Sequence, residues 1–453
     1  MPILITGGCG FLGSNIASKF LSLGERVVVM DALFRHGSEQ NLAWLESLAK
    51  PGQLAHCRVD TADAGPVEAV FQKHGPFDYI CHLAGQVAMT TSLSDPRRDM
   101  LTNVVGGFNI LEAARKHCPD TFLAFSSTNK VYGDLGDFEY AETATRYTIP
   151  GHPNGFDESL RLDFASPYGC SKGAADQYFR DWFRNYGLKT VVFRHSSIFG
   201  GRQFATYDQG WIGWFCQKAI EQKAERAAGK PVTPFTISGT GKQVRDVLHA
   251  DDLTALYQSA YEHRNAVAGE VFNIGGGIDN SLSLLELFSL LGHLLDLPSH
   301  PKSKIQNPKS FSSANPPSAG SPAAADVSTP PPSADGRSNQ EPRTKNQERA
   351  LGASSSTFRF PPSSFSSAPP PSADGRSNQE PRTKNQERAL GASSSAFRFP
   401  PLAFDKLPRR RSDQDFFVAD IRKAERMLGW KPQVGSREGV ARMIAWCQSA
   451  AKP

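Results

Sequence analysis

Thirteen residues at the start of the chain constrain everything after them. Residues 1–5 are a short apolar run, Thr6-Gly7-Gly8-Cys9-Gly10-Phe11-Leu12-Gly13 follows at once, and Ser14 to Leu23 carries a helical pattern closed by Gly24. The order is strand, glycine turn, helix. A helix N-terminus presents backbone N–H groups with no acceptor inside the helix, and its dipole favours an anion there. Side chains at Gly7, Gly10 and Gly13 would obstruct a pyrophosphate approaching those groups. The spacing is G-x-x-G-x-x-G rather than G-x-G-x-x-G, and a glycine turn alone can be plain structure. Here a second strand, Glu25 to Met30, ends in Asp31, about 20 residues on, where a carboxylate can accept the hydroxyls of an adenosine ribose. The pattern predicts a dinucleotide site. Asp31 favours NAD, because a carboxylate repels the extra phosphate of NADP; Arg35 is near enough in sequence to act the other way.

The chain has 453 residues, room for two or three domains, and a formal net charge of +5. That charge is small for the length, so a nucleic-acid partner is not expected. Seven cysteines, odd in number and scattered without a C-x-x-C pair, fit reduced thiols in a cytoplasmic protein and suggest no metal centre. The first strand starts at Met1, leaving no room for a signal peptide, and no apolar run approaches a membrane span; a soluble protein with no membrane partner is expected.

Short apolar strands alternate with helical patterns: Ala55 to Val59, Tyr79 to Leu83, Phe122 to Phe125 and Thr190 to Phe193 follow the first two. Such alternation predicts an α/β fold with a Rossmann-type, doubly wound parallel sheet, ligands sitting outside the carboxyl ends of the strands. The expected organisation is a nucleotide-binding domain over residues 1–195 and a smaller C-terminal substrate-binding lobe from 196–298 and 403–453. Between the two lobe segments, residues 299–402 change abruptly to Pro, Ser, Ala, Arg, Asn and Gln. Residues 330–362 recur as 369–401, identical except for Thr357 against Ala396. This repeat carries too few apolar side chains to stack into a core, so a disordered insertion is expected. Its basic residues, Arg337, Arg343, Lys345 and Arg349, could alternatively form a tethered binding segment.

Ser166-Pro167-Tyr168-Gly169-Cys170-Ser171-Lys172 is the second informative stretch. Ser166 suits an N-cap and Pro167 the first helical position, placing Tyr168 and Lys172 four apart on one helix face. An ammonium near a phenol favours the phenolate and can bring it towards the range of a general base. Such a pair can also merely share a solvated face. Thr128, at a strand end on the same side of the sheet, supplies a third hydroxyl and favours the chemical reading.

The glycine pattern, Asp31, His82-Leu83-Ala84-Gly85, Asn103, Ser126-Ser127-Thr128 with Val131-Tyr132-Gly133, and Tyr168-x-x-x-Lys172 together resemble the extended short-chain dehydrogenase/reductases that modify nucleotide sugars. The resemblance covers the chain outside the insertion. It implies that Phe11 and Leu12 offer N–H groups to the pyrophosphate, that Asp60 and Thr61 flank the adenine, and that Leu83 and Ala84 line the cofactor site. It further implies Tyr168 as catalytic base, Lys172 on the nicotinamide ribose, Thr128 orienting the reacting hydroxyl, and Asn103 supporting Lys172 through water. Sugar 4,6-dehydratases of this family carry Asp-Glu directly after the Thr; Asn129 and Lys130 stand there instead, which disfavours dehydration and leaves epimerisation with transiently reduced NAD.

Several stretches resemble the family's 2-epimerases of CDP-sugars: Gly85 to Ser92, Ser127 to Asp134, Asn154 to Glu158, and Arg194 to Ser197 running on to Phe204. By that resemblance Arg245 and Arg410 clamp the diphosphate of a CDP-sugar substrate, and Gln86, Asn129, Lys130, His195, Arg202 and Gln203 line the sugar pocket. Guanidinium forks suit phosphate oxygens. His195 could equally be an interior histidine. A homo-oligomer is implied. The alternatives are a UDP-sugar 4-epimerase and, from another class, a non-catalytic nucleotide sensor or RNA-associated relative.

Overall fold

The structure, a computed structural model, describes residues 2–206, 208–297, 401–410 and 413–450. The expectations for the repeat and for disorder in the insertion fall on residues 299–400, outside the described residues.

The first half runs β1 (Pro2–Thr6), α1 (Phe11–Ser22), β2 (Arg26–Met30), α2 (Ser38–Leu48), β3 (Leu54–Cys57), α3 (Ala64–His74), β4 (Tyr79–His82), α4 (Met89–Ser94) and α5 (Pro96–Met100). A π-helical turn (Leu101–Val105) then leads into α6 (Gly106–His117) and β5 (Phe122–Thr128). A small hairpin, β6 (Ala141–Glu142) and β7 (Tyr147–Thr148), precedes α7 (Pro167–Tyr186) and β8 (Lys189–His195). Next come β9 (Ser197–Phe199), α8 (Trp211–Ala227), β10 (Phe235–Ser238), β11 (Val244–His249), α9 (Ala250–Glu262), α10 (Arg264–Val267) and β12 (Val271–Ile274). The remainder is β13 (Ser281–Ser283), α11 (Leu284–Leu294), β14 (Phe404–Leu407), β15 (Phe416–Phe417), α12 (Arg422–Leu428) and α13 (Ser436–Ala450).

Seven strands form one parallel sheet in the order β12-β8-β5-β4-β1-β2-β3. Alternate residues of these apolar strands feed opposite faces, as a period of two requires. Ile3, Ile5, Val27, Val29, Tyr79, Cys81, Phe122 and Phe193 join one cluster with α1 and α9. Leu4, Val28, Ile80, Leu123, Phe125 and Val192 join the other with α3, α6 and α7. At roughly 1.5–3 kcal/mol for each fully buried large side chain, these two layers supply the driving force that fixes the strand ends where the ligand site forms.

Two local differences from the sequence reading bear on function. The α1 helix begins at Phe11 rather than Ser14, because Gly10 serves as its N-cap and the glycine turn flows straight into the first turn. The β5 strand continues through the polar Ser126-Ser127-Thr128, all buried, because β8 pairs with it as far as Thr128 against His195. The domain boundary differs as well. The parallel sheet is completed by β12, and α9 and α12 pack on its first face, although those residues were assigned to the substrate lobe. A parallel edge strand needs a crossover helix, and α9 is that helix.

The lobe proper is built on β11, which pairs with β9, β13 and β15, beside the parallel pair β10 and β14. Its core includes Phe215, Phe235, Phe288, Met443 and Leu402. Leu402 is buried and Pro401 lies against Gly292, so packing resumes two residues before 403.

Candidate active site

The glycines divide the labour of the turn. A Cβ on Gly13 would lie 2.1 Å from the Gly7 carbonyl oxygen, and one on Gly7 (φ +66°) 2.8 Å from the Ala84 nitrogen. Both are demanded by the protein's own packing. A Cβ on Gly10 meets nothing closer than the Gly7 oxygen at 3.2 Å, so this glycine leaves the approach to the helix N-terminus open. From there a single cavity of about 860 Å³ runs past Phe11, Leu12, Gly13, Asp31, Asp60, Thr61, Leu83 and Ala84 to Tyr168 and Lys172.

Asp31 is held at the end of β2 by two backbone donors, Cys9 N–H on Oδ2 at 2.9 Å and Leu33 N–H on Oδ1 at 2.8 Å. Thr61 is buried with its carbonyl fixed by Asn109 at 2.9 Å. The Thr6 hydroxyl accepts from Leu83 N–H and Ala84 N–H, both at 3.2 Å, so its proton goes to His82 Nδ1 at 2.7 Å. His82 is therefore neutral and supports the cleft floor. First-turn N–H donors beside a bare Gly10, a fixed carboxylate one strand away and a Tyr-Lys pair at the far end fit a nicotinamide dinucleotide.

At the far end, Ser166 accepts from Gly169 N–H at 3.1 Å and Pro167 occupies the first position, so α7 starts where the sequence placed it. Tyr168 and Lys172 both face the cleft. The Tyr168 phenol is buried and pushed up to about 12 by that burial; a hydrogen bond with Thr128 opposes the shift and the Asp99 charge adds to it. Lys172 is not among the groups that set this shift in the protein alone. The Lys172 ammonium points instead to the Ser126 carbonyl, 4.4 Å from the centre of the Phe125 ring. Burial lowers its pKa to about 8, against the pull of Asp99 and Asp176.

The other expected site residues separate into groups. Asn103 accepts from Gln86 N–H at 2.9 Å and donates to the Gln86 carbonyl at 3.1 Å and the Ser171 hydroxyl at 2.9 Å. It braces Ser171, the neighbour of Lys172. Gln86 lines the cleft, and its side chain donates to the Ala88 carbonyl at 2.8 Å and Asp99 at 2.9 Å, and accepts from Ala88 N–H at 2.6 Å. His195 is interior, stacked on Tyr257 with Nε2 3.3 Å from its hydroxyl, because β8 continues two residues beyond Phe193 and pairs His195 with Thr128. Arg202 is stacked between Trp44 at 4.0 Å and Trp446 at 4.9 Å, at the Asp31 end of the cleft and not beside Tyr168. Gln203 adjoins it, buried, with its amide 3.4 Å from the Ile198 carbonyl.

Asn129, Lys130, Arg245 and Arg410 converge around the segment after residue 408. Asn129 donates to Gln414 at 3.1 Å, and Arg245 donates to Asp413 at 2.9 Å and to the Gln414 carbonyl at 2.7 Å. Lys130 sits 3.5 Å from the same Asp413 oxygen; burial and the Arg245 charge lower its pKa to about 8. Arg410 donates to Ser238 at 3.2 Å. The sequence reading missed Asp99, Asp176, Asp413 and Gln414. Asp176 had a signal, one turn beyond Lys172 on the same face; Gln414 had none, lying 285 residues from its partner Asn129.

Two neutral histidines beneath this site predict acid lability. Burial, with the Lys172 charge nearby, lowers both His82 and His195 from 6.5 to about 3. Between those values the unfolded chain binds one more proton per ring, so stability is complete above pH 6.5 and falls as pH drops towards 3. The slope is about 1.4 kcal/mol per pH unit for each ring. Urea denaturation at pH 7 and pH 5 should show the loss; equal unfolding free energies would refute it.

Among the described residues no helix is long and apolar enough to cross a membrane. Residues 3–275 match the model of the NAD dependent epimerase/dehydratase family. The chain is 57% identical over 291 residues to CDP-paratose 2-epimerase of Salmonella typhi, covering 64% of this chain and 83% of that protein. It is 32% identical over 304 residues to dTDP-glucose 4,6-dehydratase of Neisseria meningitidis, covering 65% and 76%. Among solved structures, UDP-glucose 4-epimerase of Thermotoga maritima aligns with a TM-score of 0.63 at 21% identity, covering 100% of both chains. The Thermus thermophilus UDP-glucose 4-epimerase complex with NAD aligns with a TM-score of 0.62 at 20% identity, again over 100% of both. With a dinucleotide cleft that ends on a Thr-Tyr-Lys constellation and a family match spanning most of the described chain, this protein belongs to the NAD dependent epimerase/dehydratase family and is an epimerase.

Proposed function

We propose that this epimerase interconverts CDP-paratose and CDP-tyvelose by inverting carbon 2 of the sugar. The observation that carries the reading is the 57% identity to a CDP-paratose 2-epimerase across 83% of that protein. The site supports it: Asn129 and Lys130 follow Thr128, so the acid-base pair a dehydratase would need at those positions is missing, while Tyr168 and Thr128 share a hydrogen bond at the cleft end.

A carbon bearing only hydrogen and hydroxyl is too weakly acidic to invert by proton removal, so the hydrogen must leave as hydride. Held along the cleft by the glycine turn, Asp31 and Lys172, NAD would supply the hydride acceptor and then the donor. Tyr168, as phenolate, removes the hydroxyl proton of carbon 2 and later returns it. Thr128 orients the hydroxyl, and the Lys172 ammonium holds the ribose near the nicotinamide and favours the phenolate. Arg245 and Lys130 bind the diphosphate in place of Asp413, and Arg410 adds a further cation beside Ser238. The freed ketone must turn over before the hydrogen returns to its other face. The protein is a cytoplasmic homo-oligomer in this reading.

Incubation with CDP-paratose, CDP-tyvelose, UDP-glucose and UDP-galactose, followed by NMR, tests this directly. Inversion at carbon 2 of the CDP-sugars alone is expected; inversion at carbon 4 of a UDP-sugar would replace the reading with its rival. Cofactor retention is a second expectation. The 201–204 strap is pinned to the nucleotide-binding half, with Asn15 donating to the Gly201 carbonyl at 3.1 Å and Asn41 to the Arg202 carbonyl at 3.3 Å. Denatured wild-type protein should release close to one NAD per chain. Arg202→Ala loses both indole contacts, each about 0.5–2 kcal/mol, and should carry measurably less NAD after gel filtration; an unchanged content would exclude the strap.

A further inference from the structure

We propose that Asp99 is a positioning residue whose carboxylate is the buried counter-charge of Lys172 and keeps its ammonium protonated in the working enzyme. The proposal deepens the catalytic reading above and rests on it for the role of Lys172.

Asp99 is fully buried, yet among the described residues its oxygens take only neutral donors. Oδ1 accepts from Gln86 Nε2 at 2.9 Å, and Oδ2 accepts a short hydrogen bond from the Ser171 hydroxyl. These donors are not free to turn. Gln86 Oε1 is occupied by Ala88 N–H, and Ser171 Oγ also receives Asn103 Nδ2 at 2.9 Å and lies 3.2 Å from the Tyr168 carbonyl. Four segments therefore meet at one closed network: the loop after β4 with Gln86, α5 with Asp99, the π-helical turn with Asn103, and α7 with Ser171. A π-helical turn is rare and frequently marks a functional site. An isolated buried carboxylate is expensive, so a charge kept here without a directly bonded cation calls for a compensating charge nearby.

Lys172 supplies it. Lys172 adjoins this network: a Cβ on Gly85 would lie 2.8 Å from Asn103 Oδ1 and 3.7 Å from Lys172 Nζ, and Ser171, bonded to Asp99, is its neighbour in α7. The charged and titratable groups around it are Asp99 from α5, Asp176 one turn along α7, His82 from β4 and His195 from β8. Both histidines are buried and neutral. Asp176 is already matched: Arg194 donates to its two oxygens at 2.8 and 2.9 Å. Asp99 is the remaining negative charge on that side, and it comes first among the groups that sustain the Lys172 charge against burial. Facing Tyr168 are the Thr128 hydroxyl and, again, Asp99, which opposes the phenolate. The carboxylate thus favours the lysine cation while disfavouring the phenolate, and bonded to Ser171 it is held in register with both.

The test uses full-length protein as purified with its NAD. Lysine residues carry a ¹³C label at Cε, and the Lys172 signal is identified by its loss in Lys172→Met. In Asp99→Asn, which retains groups to pair with Ser171 and Gln86, the Lys172 titration midpoint should fall by about one pH unit, a tenfold change in proton affinity. The alkaline limb of turnover should move down by the same amount. Ser171→Ala, which breaks the network but keeps the carboxylate, should leave the midpoint near wild type, and Asp99→Glu should restore it. If Asp99→Asn does not fold, Asp99→Ser removes the charge and retains a hydroxyl. An unchanged midpoint on charge removal, or an equal shift in Ser171→Ala, overturns the proposal. The NMR titration reads the lysine alone, so it stands even if the sugar substrate proves to be another.

Discussion

Tyr168→Phe is expected to lower turnover by about 10²- to 10⁴-fold, the usual loss when a positioned general base is removed, while the protein keeps its NAD. The substitution deletes one oxygen from a buried side chain and leaves the ring in place. Thr128 loses its partner at the phenol but still accepts from Lys130 N–H at 3.3 Å, so the strand end stays capped. The Asp31 and glycine-turn contacts at the other end of the cleft are untouched. Expected readouts are an inactive protein that releases as much NAD on denaturation as wild type. Retained activity would remove Tyr168 as the base; lost NAD would show that its hydroxyl holds the cofactor. The position of Tyr168 also sets a pH requirement. Burial pushes its phenol up to about 12, so near neutral pH the enzyme must gain positive charge beside it before the phenolate is populated.

How much of this was legible in the sequence depends on the range of the interactions. The glycine turn, Asp31 and the Tyr168-Lys172 face are local: each is fixed by a few neighbouring residues, a strand end or a helix cap, and the structure brings them into one cleft. The parallel sheet was legible because its strands are near-continuous apolar runs. What pattern could not give is where a polar side chain spends its hydrogen bonds. His195 reads as a residue available to a sugar, and it is turned inward by Tyr257 from a sequence-distant element. Arg202 looked like a substrate cation and is taken up by two tryptophans from opposite ends of the chain, Trp44 and Trp446. The segment carrying Asp413 and Gln414 reaches Lys130, Arg245 and Asn129 across the whole insertion, a pairing no local spacing encodes. The boundary of the substrate lobe was misplaced for a related reason. Residues of β12 return to the edge of the first sheet, and only the strand pairing with β8 reveals it.

Asp176→Ala is expected to destabilise the fold by about 3–5 kcal/mol, because it leaves the Arg194 guanidinium buried without its counter-charge. Asp176 is fully buried and Arg194 is 3% exposed. Burial opposes the arginine's charge, yet the hydrogen bonds and charge of Asp176 prevail and hold it above the ordinary arginine range. Arg194 also donates to the Tyr132 hydroxyl at 2.9 Å, which donates in turn to Asn273 at 2.7 Å, so the pair joins β8, the turn after β5 and β12. The damage should therefore extend to the site. Ser127 donates to Asp176 at 2.8 Å and is the residue before Thr128, so the strand end that aims the Thr128 hydroxyl loses an anchor. Urea denaturation monitored by circular dichroism measures the first effect, and kcat on folded protein the second. The double variant Asp176→Leu with Arg194→Met, which removes both charges while keeping volume, should recover most of the stability but not the anchor on Ser127. A loss below about 1 kcal/mol in Asp176→Ala would mean that water or another carboxylate reaches Arg194, and the ion pair would no longer account for how β5 is held beneath the reacting groups.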